Sequence, residues 1–175
     1  MHTQRRIISI ATYALLCGSM SATRFVAVGS HAPPFAATAP VACTLLTTGD
    51  ATTALGVPSQ PGKEFVDPTG CVWSNDPGAS DSSRRVTLVT HSLAAFKAAM
   101  HPAITTIKIE PVSGIGDEAF YQLYPKGQSP FIWVRKCNTA FSVRILTRLK
   151  PEPPFTTEQE KSKEAVLAQA AAAKA

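Results

Sequence analysis

A cysteine between basic residues is the first candidate for chemistry in this sequence. Cys137 lies in the stretch FIWVRKCNTAFSVRI, directly after Arg135 and Lys136. Neighbouring cations lower the pKa of a thiol and favour the nucleophilic thiolate. A catalytic thiol also needs a base, and no histidine lies near Cys137 in the sequence. A thiol-dependent enzyme that uses Cys137 with His91 or His101, brought close by folding, is therefore an alternative hypothesis.

Two histidines and a serine are the next candidates. His91 and His101 lie ten residues apart, with no cysteine or carboxylate beside them, so the spacing does not predict a metal site. Ser92 follows His91, but the local sequence THSLA lacks both glycines of the G-x-S-x-G hydrolase turn. We expect Ser92 to cap a helix, and we expect no metal and no cofactor.

A pair of carboxylates follows a glycine turn in the stretch GIGDE. The stretch is similar to a phosphate-binding loop, but it leads into a strand pattern rather than a helix N-terminus. Asp117 and Glu118 are adjacent, and adjacent residues of a strand point to opposite faces of the sheet. We therefore expect these carboxylates to serve at the exit of the turn, and we predict no catalytic residue.

The stretch around Cys137 also predicts a β-hairpin with two different faces. With Cys137 and Asn138 as the turn, one face is almost wholly apolar and predicts core. The other face carries Phe131, Trp133 and Arg135 opposite Arg144, Ser142 and Ala140, and the simplest register of the preceding strand adds Phe120 and Gln122.

Aromatic rings beside arginines predict a surface that binds an anionic or aromatic ligand. The candidate ligand-binding residues are Phe120, Phe131, Trp133, Arg135 and Arg144. The alternative is that the C-terminal helix covers this face, so that the rings serve as ordinary core and the arginine stems pack along them.

These faces need a sheet and helices to position them. Thr47 with Asp50 predicts the start of a short helix that ends at Gly56, and Thr157 with Glu160 predicts a capping box before a long C-terminal helix. Between them lie two strands, a second short helix and a meander of about four strands. The order predicts an α+β sandwich, with an antiparallel sheet of about five to six strands packed with two short helices and a C-terminal helix.

The N-terminus has the layout of a secretory signal peptide. Two arginines, an apolar stretch and small residues follow one another, and the apolar stretch is too short for a transmembrane helix. Cleavage is expected after Ser21 or Gly29. We assign residues 1–29 to the signal peptide, 30–42 to a flexible lead-in and 43–175 to a single α+β domain. We expect an exported, periplasmic or extracellular protein with no permanent membrane span after cleavage.

Export changes the meaning of the cysteines and of the charge. Cys43 and Cys71 are expected to form a disulfide in an oxidising compartment, which leaves Cys137 outside that bridge. The whole chain has a net charge of +5, but residues 1–29 carry three of its 17 basic residues and no acidic ones. The remainder therefore has a net charge of only +2, which argues against nucleic-acid binding.

Five motifs together resemble a group of small exported bacterial proteins and lipoproteins of unknown function. They are CTLLT, DATTALG, GCVW, GIGDEAFY and VRKCNTAFSV, and the similarity spans most of residues 43–170. The resemblance implies a disulfide-pinned α+β domain outside the cytoplasm and brings no active site. In that group a glycine usually stands where this chain has Cys137.

The function expected from these observations is an exported, non-catalytic binding or interaction domain. Its partner is expected to be a small molecule, an envelope component or another protein. Besides the thiol-dependent enzyme, a structural or inhibitory envelope partner protein is the remaining alternative.

Overall fold

A computed structural model of the chain describes residues 41–65, 67–78, 83–125, 128–147 and 155–175. The predicted signal peptide and nearly all of the predicted lead-in lie outside these residues. In chain order the elements are α1 (Ala42–Leu45), α2 (Thr48–Leu55), β1 (Lys63–Phe65), β2 (Asp67–Ser74), β3 (Arg84–His91), α3 (Leu93–Ala99), β4 (Lys108–Val112), β5 (Glu118–Leu123), β6 (Phe131–Lys136), β7 (Thr139–Thr147) and α4 (Thr157–Ala172).

The strands form one antiparallel sheet in the order β1-β2-β3-β7-β6-β5-β4. This confirms the predicted α+β class, although the sheet has seven strands rather than five or six. The additional strand, β1, is three residues long and has no alternation of apolar and polar residues. The helix α1 was also missed. It spans only four residues and its N-cap Val41 makes no side-chain hydrogen bond, so it leaves no sequence signal.

One face of the sheet packs against α1, α2 and α4 and holds the main core. Its strand residues are aliphatic or aromatic and fully buried, among them Trp73, Leu88, Val134, Phe141 and Ile145. The helices contribute mainly leucines and alanines. We call this the covered face. Its composition follows from strand alternation, because every second residue of β3, β6 and β7 points into it.

A disulfide joins α1 to the sheet. Cys43 in α1 bonds Cys71 in β2, with their Cα atoms 5.0 Å apart, as the sequence predicted. The bridge closes a loop of 28 residues, which limits the freedom of the unfolded chain and stabilises the fold by about 3 to 4 kcal/mol in the chain-entropy account.

The starts of α2 and α4 each have a capping box, but the box of α4 differs from the prediction. Thr47 and Asp50 form the predicted capping box of α2, and Gly56 ends that helix with φ 68°. The capping box of α4 is formed by Thr156 and Gln159, so the prediction of Thr157 and Glu160 was wrong by one residue. Glu160 follows this box directly and is buried.

The opposite face of the sheet carries α3 on one part. Ser92 caps this helix, as predicted, and Phe96 packs against Phe120 and Ala140 in a second, smaller apolar cluster. The buried residues of α4 belong to the main core instead. The C-terminal helix therefore does not cover the face with the predicted ligand-binding residues; the short helix α3 packs there.

Candidate functional site

The hairpin formed by β6 and β7 has the register that the sequence predicted. Ile132 pairs with Val143 and Val134 with Phe141 on the covered face. On the opposite face, Trp133 pairs with Ser142, and β5 places Phe120 beside Trp133. We use the name aromatic face for the group His91, Phe120, Gln122, Tyr124, Phe131, Trp133, Ser142 and Arg144.

Three rings stand in a row across the aromatic face. The Trp133 indole stacks on the His91 imidazole, with centroids 4.3 Å apart. On its other side the indole is nearly parallel to the Phe120 ring, at 6.2 Å and an angle of 5°. Phe120 is buried under α3, whereas Trp133 and His91 are half-buried. The row therefore runs from the apolar cluster beneath α3 toward solvent.

A second row lies further along the same strands. The Tyr124 and Phe131 rings meet at 5.6 Å between centroids, and the Arg144 guanidinium carbon lies 4.2 Å from the centroid of Phe131. A cation over an aromatic ring is attracted by the negative face of the ring. All three side chains are half-buried, so this row presents both ring surface and positive charge to solvent.

A buried glutamine ties the rows to α3. The Gln122 amide nitrogen donates to the carbonyl of Ala99, at 2.7 Å, near the end of α3. Its oxygen accepts hydrogen bonds from the Trp133 indole N–H and from the Tyr124 hydroxyl, each at 3.1 Å. Because Gln122 is buried, these contacts fix the positions of both rings.

His91 forms a serine–histidine contact that the sequence did not predict. Its Nε2 lies 2.9 Å from the hydroxyl oxygen of Ser142, and burial lowers the pKa of the imidazole. The pair has the distance of a nucleophile and its base. Ser142 is only 4% exposed, however, so the contact orients the imidazole against Trp133 rather than presenting an accessible hydroxyl. Only the pairing of β3 with β7, which is non-local, brings these residues together.

Arg135 is placed differently from Arg144, although both were candidate ligand-binding residues. Its guanidinium lies 3.3 Å from the carboxylate of Glu118 and 3.7 Å from that of Asp117. The expectation that these adjacent carboxylates point apart was wrong. Asp117 precedes β5, so strand alternation does not govern it. Two carboxylates thus neutralise Arg135, whereas Arg144 lies against the Phe131 ring.

Cys137 is exposed at the hairpin turn with φ 49°. Its backbone N–H donates to the carboxylate of Asp117 at 2.6 Å. This hydrogen bond and the ammonium of Lys136 hold the pKa of Asp117 below its ordinary value. His91 is hydrogen-bonded to Ser142, and His101 is exposed beyond the end of α3. The thiol-dependent mechanism stays a prediction.

Two grooves lie apart from the aromatic face. One, of about 280 Å³, runs between α2 and α4 and is lined by both apolar and polar side chains, among them the exposed Val166. The other, of about 380 Å³, lies over the β1 end of the sheet and includes Phe65, Val72 and Arg85. Over the described part of the chain, no cluster of three or more metal-ligating side chains occurs, and no helix is long and apolar enough to cross a membrane.

Comparison with known proteins adds no relative. No protein-family model, no curated protein and no solved structure matches this chain. Support for the candidate site therefore comes from the geometry of its residues alone.

Proposed function

We propose that this protein is an exported, non-catalytic binding domain whose aromatic face binds a small molecule with an aromatic ring and a negative charge. The observation that carries the proposal is the half-buried row of Tyr124, Phe131 and Arg144 beside the half-buried Trp133. On the covered face, by contrast, large strand side chains such as Trp73, Phe141 and Ile145 are at most 1% exposed.

The chemistry of the face supports this ligand class. An arginine beside a ring offers several N–H donors to a carboxylate or phosphate, and the rings offer surface for stacking. Gln122 fixes the Trp133 and Tyr124 rings, so binding does not have to order them. Export is supported by the disulfide, because such bonds persist in oxidising compartments.

The binding test uses the two tryptophans of the chain as site and control. Trp133 is half-buried on the aromatic face, whereas Trp73 is 1% exposed on the covered face. We expect benzoate to shift the NMR signal of the Trp133 indole N–H and to leave that of Trp73 in place. Benzamide lacks the charge and cyclohexanecarboxylate lacks the ring, so each is expected to bind more weakly.

Two arginine variants test whether benzoate binding depends on the aromatic face or only on the positive charge of the protein. Arg144→Gln is expected to weaken benzoate binding about tenfold, since one charged hydrogen bond contributes about 1.5 kcal/mol. Arg135→Gln is the matched control and is expected to leave affinity within about twofold, because Arg135 is already paired with carboxylates. Equal losses in both variants, or equal shifts for all three probes, would contradict the proposal.

Export is tested separately from binding. Mass spectrometry of the protein from the native periplasm or medium is expected to show a chain that begins at residue 22 or 30 with Cys43 and Cys71 bonded to each other. Recovery of the full-length chain from the cytosol, with both thiols reduced, would contradict the assigned location without bearing on the aromatic face.

A further inference from the structure

The C-terminal helix buries a carboxyl group beneath itself. Glu164 of α4 is 0% exposed, and its Oε1 accepts a hydrogen bond from the backbone N–H of Ile145 at 2.8 Å. β6 pairs with β7 only as far as Ile132 and Val143, so Ile145 lies past the end of that ladder. Glu164 thus takes the place of a missing strand partner. Among the described residues, its Oε2 has no hydrogen-bond partner.

A second carboxyl lies one helical turn earlier on α4. Glu160 accepts hydrogen bonds from the hydroxyls of Thr147, at 3.0 Å, and Ser129, at 3.3 Å. Burial raises the pKa of Glu160 and raises that of Glu164 to about 9, with a further contribution from the charge of Glu160. At neutral pH the Glu164 carboxyl is therefore protonated.

Other charged and titratable groups surround this pair. The charge of Arg144 of β7, whose side chain lies on the aromatic face, lowers the pKa of both carboxyls. The hydroxyl of Tyr121 in β5 donates to the Lys161 carbonyl of α4. Three ion pairs also involve groups around this helix: Lys161 with Glu110 of β4, Lys161 with Glu158 of α4, and Lys174 with Asp50 of α2. The pairs lie on the surface, so Glu164 is the fully buried titratable group of the interface.

We propose that Glu164 is a proton-operated latch for α4. While its carboxyl is neutral, the helix stays docked and its apolar side chains, such as Leu167 and Ala171, complete the main core. An ionised carboxylate in this place has no solvent, and that state is strongly unfavourable. Loss of the proton releases α4 from the sheet before the strands separate. This inference does not depend on the aromatic face binding a ligand.

The direction of the pH effect follows from linkage. The folded protein holds the Glu164 proton up to about pH 9, whereas the unfolded chain releases it near the ordinary value of 4.5. The contribution of the neutral Glu164 carboxyl to the free energy of unfolding is thus complete below about pH 4.5. It is lost progressively as the pH rises toward 9. One proton makes the undocking equilibrium about tenfold more favourable per pH unit in this window.

Hydrogen exchange on the whole chain tests the latch. After correction for the intrinsic rate, the protection of α4 amides is expected to fall about tenfold per pH unit between pH 6 and pH 8. Global unfolding also exposes Glu164, so the central β3 amides share this slope, but their protection is expected to stay well above that of α4 at each pH. In Glu164→Gln, a neutral side chain of the same shape, α4 protection is expected to stay level. Glu158→Gln, at an exposed position of the same helix, is the matched control and should behave as the wild type.

Three results would overturn the latch. They are an α4 protection in the wild type that does not change with pH, the same slope in Glu164→Gln, and an α4 protection equal to that of β3 at every pH. If Glu164→Gln does not fold, the comparison of α4 with β3 in the wild type decides by itself.

Discussion

The two faces of this sheet are built from alternate residues of the same strands, yet they differ in kind. The covered face is closed by three helices and consists of fully buried aliphatic and aromatic side chains. Among the described residues, the seven-residue helix α3 packs on the aromatic face, and hydrogen bonds to Gln122 and Ser142 hold the Trp133 and His91 rings. One face resembles an ordinary core, whereas the other combines partial burial with hydrogen-bonded polar side chains such as Gln122.

The difference teaches how stability and recognition are separated in a small domain. Burial of apolar area stabilises the fold on whichever face it occurs, so the helices on the covered face provide most of the hydrophobic stabilisation. The opposite face can then keep ring surface and charge near solvent. Its hydrogen bonds give the rings fixed positions rather than much additional stability.

The largest expected effect comes from truncating a phenylalanine on each face. Phe141 is 0% exposed in the main core, and Phe120 is 2% exposed in the smaller cluster. Both substitutions to alanine remove a buried ring, at a cost of about 3 to 5 kcal/mol. Phe141→Ala is expected to lose free energy of unfolding near the upper end of this range. Phe120→Ala is expected near the lower end, because α3 can move into the cavity that the lost ring leaves. Urea unfolding measures both, and an equal or reversed order would break the distinction between the faces.

Removing the hydrogen-bonding hub of the aromatic face should have a smaller effect. Gln122→Leu keeps the approximate volume but leaves the Trp133 indole N–H and the Ala99 carbonyl without their partner. We expect a loss of about 2 kcal/mol in the free energy of unfolding and a shift in Trp133 fluorescence. Gln169→Leu, at an exposed position of α4, is the control and should change neither quantity. An unchanged Trp133 signal would show that Gln122 does not fix the ring.

The smallest effect is expected at the hairpin turn that connects the strands of both faces. Cys137 has a left-handed φ of 49°, which glycine adopts without the clash of a Cβ. Cys137→Gly is expected to stabilise the protein by about 0.5 to 1 kcal/mol after the greater freedom of glycine in the unfolded chain is included.

Two further variants test whether the left-handed backbone of Cys137 accounts for this gain in stability. Cys137→Ala keeps the Cβ and should stay close to the wild type in thermal unfolding. Gly116→Ala should destabilise, because its Cβ would lie 2.5 Å from the carbonyl oxygen of Arg135. A Cys137→Gly variant that is less stable than Cys137→Ala would mean that the left-handed conformation costs less than the greater freedom of glycine in the unfolded chain.

The sequence predicted local features better than distant ones. The register of β6 and β7 was confirmed because a two-residue turn and strand alternation determine it together. The start of α2 at Thr47 was confirmed because its capping box lies within four residues. The disulfide is also confirmed, and it could be predicted because the chain has few cysteines.

The features that were missed depend on packing between distant segments. The contact between His91 and Ser142 requires β3 beside β7, and no local pattern indicates that neighbour. The burial of Glu160 and Glu164 was hidden because glutamates in an amphipathic helix usually face water. The two arginines looked equivalent in the hairpin, and only the position of Asp117 before β5 separates them.

The position of the disulfide also determines how this domain would bear mechanical force. A pull applied at Val41 reaches Cys43 after two residues and passes through the sulfur atoms into β2, which lies between two neighbouring strands. The covalent loop that contains α2 and β1 carries none of that tension. A domain held at its N-terminal end would therefore resist unravelling from that end until the sheet itself yields.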